Sequence, residues 1–372
     1  MIYNKYQPPS MSSFLATTWK EAKGHIIEDK LGNRYIDFTS GIFVANIGHA
    51  NEQVIKAIKN VLEENIIFTF NYPDEWRRLE YLKKLTEWTG FEKVILLNTG
   101  AEAIEGAVRL MELYHPDRLG ICSLNGAYHG ETWAARALGK KKESVHFPHI
   151  MNIGDLNFWI KTLGVAGVMI EAYEGWSGKF HNKAFIQDIA SICKANNILL
   201  CFDEIQAGFG RTGKKFGYEH YDVKPDLICC SKAMGSGFPL SAVLGRKEIL
   251  DLIEDGDIWS TFSGNPMACA AGLATIEEFE RLDLIRQAQE KGEILHRELN
   301  QITGLEVYGK GMMAGIMFKN IRTANSIVLN CAKKGLLVVH TGKKSIKIGP
   351  PLTIPIEEML KGIEILKEAI CF

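Results

Sequence analysis

The chain has 372 residues, 46% hydrophobic and 23% charged, with 43 Lys and Arg against 44 Asp and Glu for a formal net charge of -1. That balance excludes a basic nucleic-acid surface, an acidic solvating tail and a disordered chain, and the length calls for a large core divided between two lobes. The eight cysteines (122, 193, 201, 229, 230, 269, 331 and 371) form no CxxC pair and no Cys/His set at zinc spacing, so reduced, mostly buried thiols and no metal are expected.

The amino-terminal Met1–Ser13 lacks the apolar core of a signal peptide, and no apolar run reaches the roughly eighteen residues that span a bilayer, so a cytoplasmic location with no membrane partner is expected. From about residue 90, short apolar runs alternate with amphipathic stretches, the pattern of βα units around a mostly parallel sheet. The runs Val94–Leu97, Gly167–Ile170, Leu199–Phe202 and Leu227–Cys230 read as strands. Ile104–Tyr114 and Phe185–Asn196 carry helical spacing, the second closing on Asn-Asn. Beyond Pro266 the pattern changes to one long helical stretch, Pro266–Ile302, followed by strands Glu306–Tyr308 and Ala314–Phe318. A helix Ala324–Lys334, a strand Ser345–Ile348 and a last helix Ile356–Ile370 complete a smaller α+β lobe, joined by the segment Tyr35–Phe38. The division expected is a large domain, 45–262, and a small one made of 1–44 with 263–372.

In open α/β sheets, ligands gather beyond the carboxyl ends of the strands, and the chemistry-bearing residues fall there: Thr99-Gly100, Glu171, Asp203 and Lys232. Asp203 follows an apolar strand and precedes a glycine-rich turn; unpaired burial of its charge is costly, so it faces a cation, faces water, or caps a helix. Lys232, 29 residues further on, follows another apolar strand among small residues. A lysine so placed is either a solvated charge or a desolvated amine able to condense with a carbonyl. Asn98–Ala103 joins a strand to a helix, which aims backbone N–H groups at whatever fills the turn. Tyr128, in Ala127-Tyr128-His129-Gly130, offers a face for a flat ring. A phosphate anchor, a stacking ring, a carboxylate and an amine together ask for pyridoxal 5′-phosphate (PLP).

At these residues, and along nearly the whole chain, the sequence resembles the class III aminotransferases of PLP fold type I, which include ornithine, acetylornithine and 4-aminobutyrate aminotransferases. The resemblance runs through Gly32–Phe38, Ile47-Gly-His49, Asn98–Glu102, Tyr128–Gly130, Asp203-Glu-Ile-Gln206, Ser231-Lys232, Ser260–Pro266 and Ile348–Leu352. It implies an α/β large domain with a seven-stranded, mostly parallel sheet and a smaller α+β carboxy-terminal domain. It implies further that Lys232 forms the Schiff base, Asp203 pairs with the pyridine nitrogen, and Gln206 contacts the ring hydroxyl. Thr99, Gly100 and Ala101 would hold the phosphate, Tyr128 would stack on the ring with His129 beside it, and Glu171 would lie near substrate and ring hydroxyl. Thr261 resembles the residue that reaches the neighbouring subunit's phosphate, which implies a homodimer. The activity implied is ping-pong transfer of an amino group from a donor, L-glutamate first among them, to a ketone or aldehyde.

Two departures bear on the substrate. Ornithine-type members commonly carry an arginine for the substrate carboxylate in the strand before Pro-Pro, where this chain has Lys347, an anion-binding point charge or a solvated strand lysine. The segment Glu171–Gly178 lacks the proline and the second glutamate of that pattern, leaving Trp176 and Phe43 as candidates to line a pocket for a bulkier substrate. An aminomutase or epimerase would keep the same Lys232 and Asp203, and a non-catalytic PLP-fold protein would have no need of them.

Overall fold

The computed structural model describes residues 8, 14–15, 17–64, 75–139 and 146–370. The expectations placed on Met1–Ser13, Pro8 apart, and on Cys371 lie outside the described residues.

Among the described residues fifteen strands form three sheets: β1 Trp19–Lys23, β2 Ile26–Asp29, β3 Arg34–Asp37, β4 Lys93–Leu97, β5 Gly120–Leu124, β6 His149–Ile150, β7 Val165–Glu171, β8 Leu199–Asp203, β9 Leu227–Cys230, β10 Ser241–Gly245, β11 Glu306–Lys310, β12 Met313–Met317, β13 Leu336–Leu337, β14 Val339–His340 and β15 Ser345–Ile348. The central sheet has the order β4-β10-β9-β8-β7-β5-β6. Strands β5 to β9 pair in parallel, and β10 alone runs antiparallel to both its neighbours. Every residue of β5, β7, β8, β9 and β10 is buried, as expected of strands covered by helices on both faces. This is why these strands read as unbroken apolar runs.

The other two sheets have the orders β1-β2-β3-β13 and β11-β12-β15-β14. In the first, Ile36 and Asp37 pair in parallel with Leu336 and Leu337, so an amino-terminal strand is completed by a carboxy-terminal one. The second leans on the loop after β7. A Cβ at Gly315 in β12 would collide with the carbonyl of Ser177, so only glycine lets the strand come that close.

One predicted element is corrected. The stretch Pro266–Ile302 is two helices, Pro266–Arg281 and Leu284–Asn300, broken where Asp283 adopts φ 48°. Asp is among the few non-glycine residues that visit this left-handed conformation, and the apolar spacing resumes with buried Leu284 and Ala288, so the periodicity carried no sign of the break. Among the described residues no helix is long and apolar enough to cross a membrane, and no group of His, Cys, Asp and Glu is arranged to hold a metal. The seven described cysteines are free and buried.

Candidate active site

The carboxyl ends of five strands, β4, β5, β7, β8 and β9, lead to one cavity of about 280 Å³ lined by, among others, Gly100, Ala101, Tyr128, His129, Glu171, Asp203, Gln206 and Lys232. Glu171 and Asp203 are register partners on β7 and β8, which sets the two carboxylates side by side. Asp203 Oδ2 lies 2.8 Å from His129 Nδ1, and its Oδ1 accepts from the Ile205 amide at 3.0 Å. Burial alone would lower the His129 pKa; the hydrogen bond and charge of Asp203, with Glu171, outweigh it and raise the ring instead. Its Nε2 is buried without a hydrogen-bond partner among the described residues. Glu171 Oε2 accepts from the Tyr128 amide at 2.8 Å. Burial pushes Glu171 up to about 7, with Asp203 adding to the rise and His129 opposing it.

Lys232 follows β9 by two residues and opens a short 3-10 turn, Lys232–Gly235, with φ 39°, a strained value for a side chain with a Cβ. Its side chain lies deep in the protein yet keeps an opening to the cavity, and Nζ has no hydrogen-bond partner among the described residues. Burial lowers its pKa, against the opposing charges of Asp203 and Glu171. The result is an amine more readily deprotonated than a surface lysine.

At the other wall, Thr99 caps the helix Gly100–Tyr114: its side chain accepts from the Glu102 amide, and the Glu102 carboxylate reaches back to the Thr99 amide. This capping box turns the Thr99 hydroxyl towards its own helix and leaves the first-turn amides of Gly100 and Ala101 at the cavity wall. A Cβ at Gly100 would lie 2.9 Å from Ile205 Cδ1 and push that side chain aside, and Gly130, at φ 134° with Ala101 Cβ 3.0 Å from where its own Cβ would stand, holds a backbone conformation that favours glycine. Gln206 completes the wall, its Oε1 accepting from Tyr173 Oη at 3.3 Å and from Lys347 Nζ at 2.9 Å.

The remaining sequence candidates are not among the cavity's lining residues. Lys347 is buried in β15, where Nζ also donates to the Gly175 carbonyl; burial brings it down to about 7, Lys232 adding to the drop and Glu171 opposing it. Phe43 is buried with its ring between Arg211 and Lys347, 5.1 and 4.9 Å from the two cations. Trp176 lies under the Lys343 ammonium at 4.6 Å, its carbonyl accepting from Ser345 Oγ. Thr261 is exposed, next to Ser260, whose hydroxyl accepts from Asn98 Nδ2. Sequence reasoning missed the His129–Asp203 bond and Tyr173. The first had a signal in the strand-end position of both segments; the second had none.

A fold with a reversed strand in an otherwise parallel sheet, and a site that sets a desolvated lysine opposite a buried carboxylate and a helix start, define an enzyme of amino-group transfer. The model of the family described as aminotransferase class III matches residues 6–370. The acetylornithine aminotransferase of Bacillus subtilis is 35% identical over 367 residues, 94% of each chain, and that of Aquifex aeolicus 32% over 370 residues, 95% of this chain and 97% of the relative. The crystal structure of acetylornithine aminotransferase from Elizabethkingia anophelis superposes with a TM-score of 0.90 at 27% identity, covering 100% of this chain and 97% of that one. The ornithine aminotransferase from Toxoplasma gondii gives 0.92 at 25%, covering 100% and 93%. The chain belongs to the class III aminotransferases, a PLP-dependent family, and is a transaminase.

Proposed function

We propose that the chain holds PLP on Lys232 and moves amino groups from L-glutamate to a carbonyl acceptor. The observation that carries this reading is the Lys232 amine, free of hydrogen bonds among the described residues, facing a cavity it shares with Asp203. The residues present fit the cofactor: the glycine cradle at Gly100 and Gly130 admits a flat group with a phosphate, and the Gly100 and Ala101 amides meet the anion. Asp203, held by His129, would sit against the pyridine nitrogen, Tyr128 against the ring face, and Glu171 and Gln206 near the ring hydroxyl. When bound, PLP supplies an electron sink for charge at the substrate carbon.

The chain's own groups do the rest. Lys232 Nζ would hold the cofactor covalently and, as a free amine beside the substrate carbon, would be the base that takes its proton and the acid that returns it. The buried carboxylate of Asp203, fixed by two hydrogen bonds, holds a proton on the nitrogen facing it. Phe43, Trp176 and Lys347 back the substrate side of the site. The same reading divides the chain into a cofactor-holding unit, 45–262, and a unit of 1–44 with 263–372, supported by the pairing of β3 with β13. Exposed Trp259, Thr261 and Phe262, tied through Ser260 to the turn at Asn98, support a homodimer in which Thr261 serves the partner's site.

The test is the visible spectrum of the PLP-loaded protein before and after L-glutamate without an acceptor. Loss of the yellow band in favour of the pyridoxamine phosphate band supports glutamate as donor. A yellow band that glutamate leaves unchanged rules glutamate out while leaving the cofactor in place.

A further inference from the structure

Lys347 occupies the middle of its sheet, paired with Gly315 on β12 and with Val339 on β14, and is 4% exposed. Two of the three N–H groups of its ammonium are already committed. One N–H goes to the Gly175 carbonyl and one to Gln206 Oε1, and the same Oε1 receives the Tyr173 hydroxyl. Two donors saturate the two lone pairs of an amide oxygen. The reverse orientation of the Gln206 carboxamide would set its NH₂ against an ammonium that has nothing to accept with, so it is excluded on chemical grounds. The Gln206 Nε2 is therefore turned away from Lys347, and Gln206 lines the cavity.

We propose that Lys347 is a positioning residue: with Tyr173 it locks the Gln206 carboxamide so that only N–H donors face the bound ring's oxygen, and it is not the clamp for a substrate carboxylate. This rests on the PLP reading above. The three residues come from three elements, the loop after β8, the loop after β7 and β15, and the close approach allowed by Gly315 brings the last of them within reach. The charged groups nearest Lys347 Nζ are Lys232 and Glu171, and neither hydrogen-bonds to it among the described residues. A deprotonated lysine amine still has two N–H groups for its two acceptors, but only the ammonium form, which has no lone pair, bars the reverse orientation of Gln206. An incoming carboxylate could reach only the third N–H of the ammonium without displacing Gly175 or Gln206, and would have to do so behind a wall that Lys347 does not itself line.

The experiment follows the visible absorption of the PLP-loaded full-length protein against pH, with PLP affinity measured by titration into the cofactor-free protein. An N–H donor favours the anionic ring oxygen, so releasing Gln206 raises the spectral midpoint. Lys347→Met is expected to raise it by about one pH unit and to weaken PLP binding about tenfold. In a Gln206→Ala background the same substitution is expected to move nothing. An equal movement in both backgrounds would mean that Lys347 acts by charge alone and overturns the lock. An unmoved midpoint with a raised KM for glutamate would restore the carboxylate clamp in its place. Should Lys347→Met fail to melt cooperatively, Tyr173→Phe decides: a smaller rise in the same direction supports the lock, and an unmoved midpoint overturns it. A protein that shows no visible band with PLP overturns the cofactor reading itself, an outcome distinct from a band that Lys347→Met leaves in place.

Discussion

Two cations, Arg211 and Lys232, occupy neighbouring parts of this molecule and do opposite work. Arg211 is fully buried, its Nη1 donating to the Met312 and Pro350 carbonyls at 2.8 and 2.6 Å and its Nη2 to Ser40 Oγ and Asn46 Oδ1 at 3.2 and 2.5 Å. It ties the turn after β3, the glycine-rich turn after β8 and the carboxy-terminal sheet into one knot, although burial pushes it down to about 9. Lys232 is half-buried, open to the cavity, and makes no hydrogen bond among the described residues. The separation between scaffold and chemistry therefore lies in access to the cavity and in how fully the polar group is satisfied.

The largest expected effect tests the unsatisfied cation. Lys232→Ala should lower turnover by at least about a thousandfold and abolish covalent retention of PLP after borohydride reduction, while the cofactor-free protein melts no lower than before. Residual activity near that of the unsubstituted enzyme would break the comparison. Arg211→Met should do the reverse, costing about 3 kcal/mol in urea unfolding because four acceptors lose their donor in the interior. A loss below about 1 kcal/mol would show that the knot is replaceable packing.

Glu171 sharpens the contrast through pH. Its folded pKa is raised from 4.5 to about 7. Between those values the folded state holds a proton that the unfolded state has released, so stability falls as pH rises through the window, and the full deficit is present above about 7. Glu171→Gln removes this dependence. The cofactor-free variant should gain on the unsubstituted protein by about 2 kcal/mol from pH 4.5 to 7.5, and denaturant midpoints across that range check it. The smallest effect is at Thr99, whose cap supports the helix that meets the cavity: Thr99→Ala should cost about 1 kcal/mol in thermal or urea unfolding.

Much of this was legible in the sequence because the central strands are buried on both faces. Gly167–Ile170, Leu199–Phe202 and Leu227–Cys230 are unbroken apolar runs, and a charged residue after such a run stands out. That made Asp203 and Lys232 visible before any coordinates. What stayed hidden depends on contacts between distant segments. Nothing near Tyr173 announces that it shares an acceptor with a lysine 174 residues later, and the departure at Lys347 showed that the substrate side differs without showing where Nζ points. The break at Asp283 stayed hidden because a single left-handed residue leaves the apolar spacing of the flanking helices intact.

The reversed strand β10 sets the geometry of the site. It lies between β4, which leads into the Gly100 turn, and β9, which leads to Lys232, with Ala242 paired at once to Leu96 and Cys230. Two strand spacings, roughly 9 to 10 Å, thus fix the lateral distance from anion cradle to amine. Ser241, donating to the Thr99 carbonyl at 2.7 Å, pins the near end of that gauge. Loops around the rim can exchange one substrate for another while this backbone ruler keeps the same span, so the length of molecule the site can bridge is written into hydrogen-bonded sheet rather than into any side chain.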